Sequence, residues 1–193
     1  MSSLLRLANL EQIERQLLAL SPLMALLEVG APDFAEQAHQ WLSQTEKCLL
    51  DNRLPAAGSL AALRGSLIAL QRGGGVPSEQ GNRGRLQTRK QRDARIAGLL
   101  KEAADLLAGQ VRGRRSQVDE AERLMLQLVA VADRVGLLQP AQAGQSHTAY
   151  LQALMATLSQ RPELGSHIVH VQGMLGLADS LLMLDRVIER LRS

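Results

Sequence analysis

The sequence predicts an all-α protein, on three observations. Leu, Ala, Gln, Arg and Glu dominate, residues that lose little rotamer freedom in a helix. Aromatic residues make up 2% of the chain, one each at Phe34, Trp41 and Tyr150. Apolar positions recur at steps of three and four, while β-branched runs with period two are missing. With 193 residues and 46% apolar composition, the chain can bury a sizeable core.

The first helix places Leu10, Ile13, Leu17, Leu20, Met24 and Leu27 on one seam. Pro22 lies off that seam and removes one backbone donor, which predicts a kink within one helix rather than two helices. Gly30 stops the helix, and Ala31-Pro32-Asp33 restarts the chain with a proline near the first helical position. The second helix carries Ala35, Ala38, Leu42, Thr45 and Leu49, flanked by Phe34, Trp41 and Cys48, and ends near Asp51-Asn52. Ser59 is a candidate cap for a third helix with Leu60, Leu63, Leu67 and Leu70. These three form an N-terminal unit over residues 1–72.

Residues 73–84, GGGVPSEQGNRG, hold five glycines and one proline with no hydrophobic period, so they read as a Gly-rich linker. A phosphate-binding loop is disfavoured: no strand precedes the segment, and it lacks the GK[ST] that would hold phosphate and magnesium. A C-terminal unit over residues 85–193 opens on a basic helix at 85–112.

Ser116 and Asp119 resemble a capping box and predict a new helix with Val118, Ala121, Met125, Leu128, Ala132 and Val135, closed by Gly136. Residues 139–145 form a second linker. Ser146 caps a short helix with Leu151, Leu154 and Leu158, which Pro162 closes. The last helix repeats His170, Met174, Leu177, Leu181, Leu184, Ile188 and Leu191, with Gly173 and Gly176 set beside this seam where another helix could approach. The expected architecture is an elongated bundle of six or seven helices, the three-helix unit followed by one of three or four.

Charge is polarised. The span from Arg83 to Arg115 holds ten Lys or Arg and three acids, a balance of +7, whereas the whole chain is +3, leaving −4 elsewhere. Six of those cations, Arg83, Arg85, Arg89, Lys90, Arg92 and Arg95, fall within thirteen residues. Arg85, Arg89 and Arg92 continue a stripe through Ile96, Leu99, Ala103 and Leu106. The arginine half of that stripe is therefore expected to emerge together just beyond the packed core, since burying unpaired charge is costly. Arg112, Arg114 and Arg115 read as cations near the end of the same helix.

Arginine forks suit phosphate oxygens, so nucleic-acid backbone is the preferred anionic partner. No aromatic residue lies between Trp41 and Tyr150 to stack unpaired bases, so binding is expected to be electrostatic and sequence-tolerant. The competing reading is a basic face that pairs with the acidic remainder of this chain or of a partner protein.

Other chemistries have thinner support. Glu163, His167 and His170 share a stripe if the last helix begins at Pro162, and are the metal-ligand candidates; Glu36 and His39 form an ExxH pair, whereas a di-metal bundle site needs two. Ser/His/Asp and paired-carboxylate spacings are missing, and no cofactor is expected. The single Cys48 excludes an intramolecular disulfide and any CxxC motif. The longest apolar run, Leu17 to Leu27, is interrupted by Ser21-Pro22 and too short for a membrane span, and Glu11 and Glu14 disfavour reading it as a leader. A cytoplasmic location without membrane association is expected.

These readings converge on a non-enzymatic helical subunit or adaptor that offers an arginine-rich helix to an anionic partner. The alternative is a protein-only interaction module or homo-oligomer pairing through the C-terminal helix. A metal-binding helical-bundle enzyme ranks third.

Overall fold

A computed structural model describes residues 5–73, 82–139 and 144–192, with the side chains of 73 and 82–87 outside the description. Among the described residues it is all-α: α1 (Leu7–Leu18), α2 (Leu20–Glu28), α3 (Phe34–Asp51), α4 (Ala56–Gly73), α5 (Asn82–Arg134), α6 (His147–Ser159), α7 (Gly165–Leu175) and α8 (Leu177–Arg192). The α1–α2 break is one residue, Ala19, which keeps helical angles and donates to Arg15 O at 3.0 Å. The chain thus holds two helical segments where one kinked helix was expected, and the break falls beside Leu18, the residue whose carbonyl the ring of Pro22 crowds. Counted as one, they leave seven helices among the described residues. Most of the Gly-rich linker, residues 74–81, and residues 140–143 of the second linker lie outside the described residues.

The chain forms two compact units, one of Ala8–Arg112 and one joining its first residues, through Leu7, with Gly113–Ser193. The division falls inside α5, not at the Gly-rich segment. In the first unit, α3 buries Phe34, Ala38, Trp41, Leu42, Thr45, Cys48 and Leu49, nearly the face its periodicity predicts. Trp41 Nε1 donates to Gln16 O at 2.9 Å, fixing α1 on α3. α4 returns along α3, joined by Arg64–Glu46 at 2.6 Å and by Gln71 Nε2 donating to Ala35 O at 3.0 Å.

The turn between them departs from the expected cap. Arg53 adopts φ +54, and Leu54 N donates to Leu49 O at 2.9 Å, a Schellman closure usually made by glycine. Pro55 then precedes α4, so the helix starts at Ala56 and Ser59 lies within its first turn instead of capping it. Proline supplies the fixed φ that a helix start needs, which makes the serine cap redundant.

α5 is the largest departure from expectation. It runs unbroken for 53 residues, through the Gly113–Ser116 stretch where a new helix was expected. Good helix formers surround Gly113, whose cost of about 1 kcal/mol cannot alone end a helix, and no proline intervenes. The buried line Asp93, Ile96, Leu100, Ala103, Leu107, Val111, Arg114, Val118 continues straight through it.

Arg114 is buried at 7% exposure and is not a cation at the end of its own helix. It donates to Met174 O at 2.6 Å and Leu175 O at 3.4 Å, the open carbonyl end of α7, and to Leu5 O at 2.7 Å. Its macrodipole role is real but belongs to a different helix.

The predicted last helix is two helices. Gly176 takes φ +83 and ψ 161, and the path turns through 116° between α7 and α8. A Cβ at Gly173 or Gly176 would meet nothing within 4 Å, so neither glycine serves close approach. Gly165 does: a Cβ there would collide with the carbonyl of Ser159. α8 buries Ser180, Met183, Leu184, Val187 and Ile188, a seam that departs from the single line through His170. The ends of α5 and α6 follow expectation. Gly136 closes α5 at φ +70, and Ser146 Oγ accepts from Ala149 N at 3.3 Å at the start of α6.

Candidate functional site

The arginine-rich start of α5 belongs to the first unit, and its geometry follows from where the helix faces its neighbours. The core-facing line is Asp93, Ile96, Leu100, Ala103 and Leu107, displaced from the predicted stripe through Leu99 and Leu106, which are half-buried. Leu100 and Leu107 adjoin Leu99 and Leu106 in a leucine-rich run, so either register satisfies a three-four period.

That displacement separates the arginines. Extended backward, the observed line passes through Arg89, which is half-buried and engaged. Its Nη2 donates to Gly30 O at 2.9 Å and Ala31 O at 2.7 Å, and its Nε to Asp93 Oδ2 at 3.4 Å. Gly30, at φ +64, closes α2, with Ala31 N donating to Leu26 O at 2.9 Å; Arg89 takes the carbonyls that follow this closure. Arg92 stands to one side, with Nε 3.5 Å from Asp93 Oδ1. That separation gives charge pairing without hydrogen-bond geometry, and Arg92 Nε has no hydrogen-bond partner among the described residues despite being shielded from solvent.

Lys90 and Arg95 are exposed, on opposite flanks of the helix, and neither makes an ion pair among the described residues. The side chains of Arg83 and Arg85 lie outside the described residues, though their backbone belongs to α5. Of the expected cluster of Arg85, Arg89 and Arg92, the two described side chains do not emerge free: Arg89 is tied to the α2–α3 turn, and Arg92 to Asp93.

A shallow apolar groove of about 410 Å³ lies in the same unit, lined by Leu20 and Met24 of α2 and by Ala97, Gly98, Lys101 and Ala104 of α5. The small side chains at 97, 98 and 104 open it. Sequence reading overlooked both the groove and Asp93. A carboxylate at a core-facing position, flanked by arginines one and four residues earlier, was the available signal for Asp93.

The metal candidates are not assembled. α7 begins at Gly165, which leaves Glu163 in the preceding turn, and Glu163, His167 and His170 are all exposed. Among the described residues, no group of three His, Cys, Asp or Glu is arranged to hold a metal ion. His147 instead reaches Asp185 of α8, Nε2 to Oδ1 at 2.7 Å. Cys48 is buried on α3, and desolvation pushes its thiol up, with Asp51 acting the same way and the Asn52 hydrogen bond opposing. Among the described residues, no single helix is long and apolar enough to cross a membrane. Comparison with protein-family models, with curated proteins and with solved structures finds no match.

Proposed function

We propose that the protein is a non-enzymatic helical subunit or adaptor that presents the start of α5 to an anionic partner, with nucleic-acid backbone the partner its chemistry fits best. The observation that carries this reading is the exposure of Lys90 and Arg95 on a firmly packed helix, with Arg92 between them 34% exposed. Arg83 and Arg85 extend the same helix, and Arg89 adds a positive charge at a fixed position. Rigid presentation lowers the ordering cost of binding, and guanidinium forks match phosphate oxygens. Without neighbouring aromatic residues, affinity rests on phosphate contacts and carries little sequence preference. A reducing, cytoplasmic setting belongs to this reading, supported by the lone buried thiol. Titration with mixed-sequence DNA and RNA over a range of salt tests it.

A second reading, a protein-only module or homo-oligomer pairing through α8, is favoured by Leu177 and Leu191, which stand 61% and 50% exposed at the two ends of that helix. It predicts a solution mass above the 21.0 kDa of one chain.

A further inference from the structure

We propose that Asp93 is an internal competitor for the anionic partner, occupying with its carboxylate the guanidinium edges that a phosphate would otherwise take. The inference rests on the reading of the α5 start as an anion-binding segment, and it assigns that segment a built-in restraint.

Two observations and one rule of guanidinium chemistry carry it. Asp93 stands on the core-facing line of α5, at 8% exposure, where periodicity calls for a hydrophobic residue. Its two oxygens are divided between two arginines, Oδ2 at 3.4 Å from Arg89 Nε and Oδ1 at 3.5 Å from Arg92 Nε. Carboxylate and phosphate oxygens compete for the same guanidinium donors.

The two arginines differ in how firmly they are held. Arg89 is anchored independently by Gly30 O and Ala31 O, so loss of Asp93 leaves it in place. Arg92 has Asp93 as its ion-pair partner among the described residues, and its Nε is shielded from solvent yet lacks a hydrogen bond there. The Arg92 side chain is 34% exposed, so its guanidinium can turn toward a phosphate oxygen, but in doing so it leaves the largely buried Asp93 carboxylate with one counter-charge fewer. Asp93 thus lowers affinity in two ways: it cancels one unit of positive charge, and it withholds Arg92.

The test uses the full chain and a mixed-sequence single-stranded RNA of about twenty nucleotides, long enough to span several phosphates. Dissociation constants are measured across salt for wild type, Asp93→Asn, Asp93→Asn with Arg92→Ala, and Glu102→Gln. Glu102 is an exposed acid farther along α5 and controls for net charge alone. The expected result for D93N is roughly three- to tenfold tighter binding at about 0.1 M salt and a log–log salt slope steeper by about 0.7, the increment for one more neutralised phosphate. Adding R92A should abolish that improvement, and E102Q should change affinity by less than about twofold. Equal improvement in D93N and E102Q, an improvement that survives R92A, or none in D93N while wild type binds would each overturn the competitor role and leave the anion-binding reading standing. Absence of binding by wild type and D93N alike at low salt would overturn the anion-binding reading itself. If circular dichroism shows D93N unfolded, Asp93→Leu, which restores a hydrophobe to the core-facing line, takes its place with the same outcomes.

Discussion

Arg89 Nη2 lies 2.7 Å from the carbonyl oxygen of Ala31, so an arginine that the sequence offers as a free phosphate ligand fastens α5 to the turn between α2 and α3. With Gly30 O and Asp93 included, one guanidinium serves three acceptors. Replacing it by alanine should lower the unfolding free energy by about 1–2 kcal/mol, the value of charge-assisted hydrogen bonds discounted for partial exposure. Arg89→Lys should recover less than half of that loss, because an ammonium lacks the planar fork that spans both sides. Urea denaturation of the two variants checks this.

Arg114 plays the corresponding part in the second unit with greater consequence, because its side chain and that of Asp179 are both largely buried, 3.4 Å apart. Asp179 also accepts from Leu7 N at 2.9 Å. Arg114→Ala would strand a carboxylate and the carbonyl end of α7, and should destabilise the protein by about 3–5 kcal/mol. Hydrogen exchange should then accelerate at the Leu7 amide, which a surface arginine variant such as Arg112→Ala leaves protected.

The glycines separate by conformation. Gly173→Ala has open space and ordinary helical angles, and should raise stability by up to about 1 kcal/mol through helix propensity alone. Gly165→Ala meets the Ser159 carbonyl, and Gly176→Ala must hold φ near +83; each should destabilise by about 1–3 kcal/mol. Thermal unfolding of the three variants should give one increase and two decreases in Tm.

Much of the fold was legible because its signal is local. The buried faces of α3 and α6 follow the three-four spacing of their apolar residues, and Pro22, Gly136 and Ser146 act where simple backbone chemistry puts them. The breaks were less legible. Gly113 and Gly176 are the same residue in similar helical sequence, yet one continues a helix and the other turns it through 116°. What separates them is which carbonyls a distant side chain satisfies: Arg114 takes those of Met174 and Leu175, stabilising the end of α7. The register of α5 was hidden for a related reason. Adjacent leucines at 99–100 and 106–107 allow two faces, and the choice between them decides whether Arg92 or Asp93 stands on the core-facing line, while Arg89 lies on both.

Cys48 provides a pH-dependent check. Burial raises its thiol pKa, so the neutral form is favoured in the folded chain. The resulting stability is fully present below the ordinary thiol value of about 8.5 and is lost as pH rises through the raised value of the folded state. Alkylation by iodoacetamide near pH 8 should be at least about tenfold slower in native protein than in urea-unfolded protein. Equal rates would show that the α3 face is open to solvent.

Anion binding by the exposed flanks of the α5 start is measured by the salt dependence of nucleic-acid affinity for wild type and for the triple variant Lys90→Ala, Arg92→Ala, Arg95→Ala. With about three to five phosphates neutralised, the wild-type plot of log K against log salt should have a slope of about −2 to −4. The triple variant should bind at least about tenfold more weakly at about 50 mM salt, with a slope flatter by about 1.5, the share of Lys90 and Arg95 while Asp93 holds Arg92, and an unchanged melting temperature. A wild type that fails to bind at that low salt, or a triple variant that retains both affinity and slope, would show that the α5 start is not an anion-binding segment.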